Sequence, residues 1–315
     1  MTDASARQTP PTTQLDHHYL LCGWHVRSAL TLPELPPWSA TATPVEADVV
    51  IEEAEVPDRL DMRDPVESWL SVGRDGSVLL QVPHVVRIHV HAGRLIRVQR
   101  LNPHDESWRL FLLGSALGYL CLQRSLFPLH AACLRIGTQT VAFAGHSGAG
   151  KSTLAAALLK RGHGLISDDL TVIRPDSASG IMVLPAFPRL KLWRDTLESL
   201  QLPMTDAPRV RPGMEKFDLR PGAGFDVAPA RLDAVVVLGD ASEPHVQRLS
   251  PQHALPVLHG YLARSQVAVR LGLHAATFAQ AAAIARQVPV WRLRRPRRFD
   301  ALDITVDFIE DHVGA

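Results

Sequence analysis

The most explicit chemistry in this chain lies in Gly145-His-Ser-Gly-Ala-Gly-Lys151-Ser152, a glycine, four arbitrary residues, then Gly-Lys-Ser. Glycines at 145, 148 and 150 permit backbone angles that other residues resist. The amides of Gly145, His146, Ser147, Gly148, Ala149 and Gly150 can therefore converge on phosphate oxygens at the positive end of a following helix. Lys151 is the expected neutraliser of the β and γ phosphates of a nucleoside triphosphate. Ser152 is the expected hydroxyl for Mg²⁺, a cation that prefers oxygen ligands, and Thr153 carries the loop into the helix. ATP and Mg²⁺ are the cofactors this motif predicts. Its context agrees: apolar Val141-Ala-Phe-Ala precedes it, and an Ala/Leu-rich run from Lys151 to Lys160 follows.

Asp168 and Asp169 follow the short apolar run Leu165-Ile-Ser167. In an extended chain, adjacent carboxylates point in opposite directions, so one can face Mg²⁺ while the other faces a second substrate. A kinase needs that division, because a carboxylate must stand near the acceptor hydroxyl. An Asp-Asp pair in a solvated turn is the bland alternative.

Lys216, in a Pro/Gly-rich segment read as a loop, is a candidate triphosphate ligand, and Arg264, at the end of a predicted helix, is a candidate anion contact. The basic run Arg292, Arg294, Arg295, Arg297 and Arg298 reads as a solvated strand edge, with Trp291 and Phe299 packed in the core. His89 and His91 share a strand face but have no third ligand nearby, so they read as surface histidines and not as a metal site.

The elements that must position these residues fall into two textures. Residues 1–16 are rich in Thr, Ala, Pro and Gln and read as a disordered leader. Residues 17–104 read as a β-rich antiparallel domain, with strands at Ala47–Ile51, Ser77–Val82, Val85–Val90 and Arg94–Val98. Residues 105–128 hold a long connecting helix, Asp105 to Arg124. From residue 129 to 315, strands alternate with helices, which predicts an α/β domain built on the phosphate loop.

With 46% of its 315 residues apolar, the chain can bury a real core. A formal charge of +1 gives no general attraction to nucleic acid or anionic membrane. The apolar stretch Phe111–Leu122 is too short for a bilayer, which needs about 20 residues, and no secretory pattern opens the chain, so a cytoplasmic location is expected. Cys22, Cys121 and Cys133 lie far apart and read as packing residues.

Leu129-His-Ala-Ala132, Phe143-Ala-Gly-His-Ser-Gly-Ala-Gly-Lys-Ser-Thr-Leu154 and Arg161-Gly-His-Gly-Leu-Ile-Ser-Asp-Asp169 together resemble the C-terminal catalytic domain of HPr kinase/phosphorylase. That family is a serine kinase with a phosphate loop, related in fold to ATP-dependent phosphoenolpyruvate carboxykinase. The resemblance implies a P-loop kinase domain, with His130 near the reacting centre, Asp168 as general base and Asp169 assisting the metal alongside Ser152. The family's Leu-Glu-Ile-Arg-Gly signature is absent, and Leu184-Pro-Ala-Phe-Pro-Arg-Leu-Lys-Leu-Trp193 stands in its region. The layout is similar to a divergent subgroup of HPr-kinase-like proteins, some encoded with lasso-peptide biosynthesis, that phosphorylate a serine on a precursor peptide. Tyr19-Leu-Leu-Cys-Gly-Trp24, Leu32-Pro-Glu-Leu35 and Val288-Pro-Val-Trp-Arg-Leu-Arg-Arg-Pro296 extend that likeness. It implies a peptide or small-protein acceptor with a serine hydroxyl, and leaves a homo-oligomer open. A small-molecule or carboxykinase-like phosphotransferase, and a non-catalytic ATP-binding regulatory module, are the competing readings.

Overall fold

The computed structural model describes residues 17–39, 46–61, 69–204, 207–211, 213–221 and 224–312; the leader expected at 1–16 lies outside them. The first strands are β1 (His17–Leu21), β2 (Trp24–Ser28), β3 (Val49–Glu53), β4 (Leu70–Val72), β5 (Val78–Val82), β6 (Val86–His91) and β7 (Leu95–Arg100). They form one seven-stranded sheet in the order β1-β2-β3-β7-β6-β5-β4. Cys22 and Gly23, and again Ala92 and Gly93, all take positive φ, which closes the β1–β2 and β6–β7 hairpins with the twist those strands need.

The expectation of an antiparallel sheet fails at β3. It pairs in parallel with both β2 and β7, because long crossovers rather than hairpins bring it into the middle of the sheet. The reading of His89 as a surface residue also fails: it is only 9% exposed, and neither ring nitrogen has a hydrogen-bond partner among the described residues. Among those residues no group of three ligating side chains could hold a metal ion.

The predicted connecting helix is interrupted. Helix α1 (Trp108–Phe111) passes into a π-turn over Leu112–Ala116 and then into α2 (Leu117–Gln123). Such widened turns put one extra residue on a face and often border functional sites.

The rest of the chain gives, in order, β8 (Phe127–Leu129), β9 (Ala131–Ile136), β10 (Gln139–Ala144), α3 (Lys151–Lys160), β11 (Gly164–Ser167), β12 (Thr171–Ser177), β13 (Gly180–Leu184), β14 (Leu190–Trp193), α4 (Arg194–Ser199) and β15 (Lys216–Leu219). It ends with β16 (Ala230–Arg231), β17 (Ala234–Asp240), β18 (His245–Arg248), α5 (Pro251–Gly260), α6 (Ser265–Arg270), α7 (His274–Gln287), β19 (Val290–Arg295) and α8 (Leu302–His312). The architecture is mixed α/β with several sheets. A six-stranded sheet runs β11-β9-β10-β17-β19-β18, a four-stranded sheet β16-β13-β12-β8, and β14 with β15 forms a separate ribbon.

In the six-stranded sheet β10, β17 and β19 lie parallel, so the loop after β10 opens at the carboxyl ends of neighbouring strands. Side chains of β10 alternate between two cores: Val141 and Phe143 pack with Leu154 and Leu158 of α3, while Ala142 and Ala144 face a second core. That second core runs without a break through Leu117 and Leu120 of α2 to Val26, Ile51 and Val98 of the first sheet. Phe143 is fully buried, and its truncation to Ala is expected to cost about 3–5 kcal/mol. The three cysteines are buried and free, in line with packing roles. Among the described residues no helix is long and apolar enough to cross a membrane.

Candidate active site

The loop between β10 and α3 folds as its glycines require. Gly148 and Gly150 take φ of 80° and 82°, and a Cβ at Gly150 would stand 2.6 Å from a guanidinium nitrogen of Arg295. Arg295 itself is 5% exposed and donates to the Ala149 carbonyl at 3.0 Å, so it braces the loop from the wall of the cavity it borders. The solvated edge expected for the basic run therefore does not hold at this residue. β19 runs inside the sheet, between β17 and β18, and its last side chain reaches the loop backbone at Ala149.

Lys151 is buried, and its ammonium donates to the carbonyls of Gly145 at 2.8 Å and His146 at 3.0 Å. It also stands 3.1 Å from Nε2 of His130. On its other side, the His130 ring places Nδ1 3.0 Å from the Asp169 carbonyl. A carbonyl only accepts, so Nδ1 carries the proton and Nε2 accepts from Lys151. Burial, and then the Lys151 charge, lower the His130 pKa and keep the ring neutral. Burial likewise lowers that of Lys151.

Asp168 and Asp169 directly follow β11, but they do not alternate as an extended chain would. Asp169 has φ of 70°, a left-handed conformation that a non-glycine residue rarely adopts and that clusters at functional sites. Asp168 is 8% exposed with both oxygens engaged: Oδ1 accepts the Ser152 hydroxyl at 2.9 Å, and Oδ2 accepts the Lys191 amide at 3.3 Å. Burial pushes its pKa up, with help from the neighbouring Asp169 charge and against the pull of Lys191 and Ser152. The Asp169 side chain is 41% exposed; its Oδ2 accepts from the Lys191 ammonium at 2.5 Å, and Oδ1 stands 3.5 Å from the His130 ring. Burial opposes ionisation here too, but the Lys191 ammonium, by its charge and its hydrogen bond, outweighs it with help from Lys216 and holds this carboxyl well below the usual range.

Two cavities meet at these residues. The loop cavity, about 440 Å³, is lined by Gly148, Gly150, Lys151, Ser152, Thr153 and Lys216, among others. A second, about 430 Å³, lies toward the π-turn and is lined by Leu113, Gly114, His146, Asp168, Phe187 and Arg264, among others. His130, Ser147, Asp169 and Lys191 belong to both walls.

Of the residues singled out from sequence, the structure gathers Ser147, Gly148, Gly150, Lys151, Ser152, Thr153, Asp169, His130 and Lys216 around the loop cavity. Gly145 and Ala149 act there through their carbonyls. The His146 ring turns to the second cavity, edge-on to Tyr261 with centroids 5.2 Å apart. Lys216 lies on strand β15 rather than in a loop, paired with Trp193 of β14, and burial lowers its pKa. Arg264 lies beyond the end of α5, with φ of 62° at the start of α6.

Sequence reasoning missed Lys191, although the buried Leu190 and Leu192 and the outward Lys191 and Trp193 alternate with the period of a strand. It placed Phe299 in the core, yet Phe299 is 40% exposed and Trp193 49%, and both line the loop cavity. Trp291 is partly buried against the core, as expected. The buried pair of Arg189 with Asp218, at 2.8 Å, also went unseen, because Arg189 just precedes β14 while Asp218 lies on its partner strand β15, 29 positions away.

No family model and no curated protein matches this chain. Among solved structures, the HPr(Ser) kinase/phosphatase from Coxiella burnetii aligns with 59% of this chain and 95% of its own, at 14% identity and a TM-score of 0.33. At that score the reading of the site rests on the geometry above.

Proposed function

We propose that this protein is a P-loop kinase that transfers the γ-phosphoryl group of Mg-ATP to a serine hydroxyl of a peptide or small protein. The observation that carries the reading is the junction of the two cavities at Asp169, His130, Ser147 and Lys191. A donor on one side and an acceptor on the other would meet there, which a module that only binds nucleotide does not need.

In this reading the loop amides and the start of α3 hold the phosphates. Lys151 leaves the Gly145 and His146 carbonyls for the β and γ phosphates. Lys216 and Lys191 add positive charge at the rim, and Trp193 and Phe299 offer aromatic faces to the base. Ser152 and Asp168 supply a hydroxyl and a carboxylate side by side, a hard-oxygen pair that would hold Mg²⁺. When bound, the metal would supply neutralisation of phosphate charge.

Asp169 is then the carboxylate for the acceptor. It accepts the hydrogen bond of the serine hydroxyl, orients it in line and takes its proton as the new O–P bond forms and the bond to ADP breaks. Its ionisation is secured by Lys191. This exchanges the roles that the sequence suggested for the two aspartates. Incubating the protein with γ-labelled ATP, Mg²⁺ and serine-containing peptides tests the function: phosphoserine in the peptide supports it, and label only in a free metabolite overturns the peptide acceptor.

A further inference from the structure

A third cavity, about 480 Å³, opens between the end of β7 and the β14–β15 ribbon, and shares Leu110 and Arg189 with the second cavity. Its wall includes Glu34, Ser107, Arg109, Asp218 and Arg220. The Arg189–Asp218 pair, each partner 6% exposed, forms rigid ground between the two spaces. Three spaces thus follow one another, from the phosphate loop to the acceptor carboxylate and on to a polar chamber bounded partly by the N-terminal segment.

Glu34 is the unusual member of this chamber. It is only 3% exposed. One carboxylate oxygen accepts from Arg109 at 2.9 Å and stands 3.7 Å from Arg220. The other has no hydrogen-bond partner among the described residues. Buried polar atoms are almost always satisfied, and an unsatisfied carboxylate oxygen invites a donor. A metabolite acceptor fills one such cavity. Two cavities in series, the farther one bearing a spare acceptor atom, suit an extended chain with regularly spaced N–H groups.

We infer that the chamber beside Glu34 is the distal half of the acceptor site. An acceptor peptide runs extended from its serine at Asp169, past Leu110 and Arg189, and donates an N–H to the free oxygen of Glu34. The N-terminal segment thereby takes part in choosing the substrate. This rests on the kinase reading above, and deepens it.

The test compares transfer from γ-labelled ATP to N-acetylserine methylamide with transfer to peptides that extend the serine by about four residues on either side, roughly 13 Å of chain. The expected kcat/KM of the peptide extended on one side exceeds that of the minimal acceptor by about tenfold, the scale of one buried hydrogen bond to a charged group. Glu34→Gln erases that gain. His104→Trp, at an exposed rim position where folding is not at stake, fills the chamber and does the same. A rate independent of length, or a gain intact in both variants, overturns the inference and leaves Glu34 to a buried water. Arms carrying either a lysine or only alanines opposite Glu34 tell a side-chain donor from a main-chain one. No transfer to any serine compound, with ATP still bound, overturns the kinase reading itself, an outcome distinct from the first.

Discussion

The Ser152 hydroxyl donates to the Asp168 carboxylate across 2.9 Å, tying the first turn of α3 to the end of β11. In the proposed kinase this hydroxyl and carboxylate would hold Mg²⁺, whereas Asp169 lines both cavities. Asp168→Asn is therefore expected to raise the Mg²⁺ needed for half-maximal transfer, with partial rescue by excess metal. Asp169→Asn is expected to lower transfer by roughly 10²-fold at any Mg²⁺ concentration, with ATP binding retained. Magnesium titrations of both variants check this, and rescue of Asp169→Asn alone would return the roles to the order first read from sequence.

Trp193 and Phe299 give a second prediction. If their faces hold the base, Trp193→Ala weakens ATP binding by about tenfold and leaves inorganic triphosphate binding unchanged, the scale expected for one aromatic stack on a base. Calorimetry with both ligands separates base from phosphate contacts. Equal loss for both would assign Trp193 to phosphate binding through Lys216, whose ammonium lies 5.6 Å from the ring centre.

His130 predicts a pH dependence. Its pKa is lowered by burial and Lys151, so the folded state binds fewer protons than the unfolded chain once pH falls below the ordinary histidine value of about 6.5. The neutral ring's contribution is present in full above that value and declines as pH falls through it toward the folded pKa. Thermal melts of wild type and His130→Gln should converge on acidification through that window. A difference between them that does not change with pH would show that the ring does not titrate as its environment requires.

Lys191 holds Asp169 ionised. A depressed carboxylate contributes stability above its unfolded value, about 3.9, and loses it as pH falls toward the folded pKa. In Lys191→Met the Asp169 pKa rises, so the acidic limb of the transfer profile is expected to move to higher pH. An unmoved limb, in an enzyme that still turns over, would detach Lys191 from the carboxylate.

Much of this site is local in sequence. The loop from Gly145 to Ser152 is contiguous, and its glycines and flanking strand and helix state their own geometry. Strands β5, β6, β7, β9 and β10 and helices α3 and α7 follow from hydrophobic period and turn residues, with ends shifted by a residue or two. The rest depends on contacts between distant segments. Asp168 and Asp169 were read as an alternating pair, and the left-handed φ of Asp169 removes that premise. Lys191 meets Asp169 only because β14 and β15 form a ribbon beside β11, and Arg295 meets Ala149 across 146 positions. The parallel placement of β3 likewise follows from crossovers, which no period reveals.

In the proposed reaction the γ-phosphoryl group passes from ATP in the loop cavity to a serine in the adjoining one. Its most direct measurement follows γ-labelled ATP, with Mg²⁺ and a serine peptide, in wild type and in Lys151→Ala. Label is expected on the peptide serine with wild type, and neither transfer nor measurable ATP binding with Lys151→Ala. Label released only as inorganic phosphate, or transfer and ATP affinity unchanged in Lys151→Ala, would contradict it.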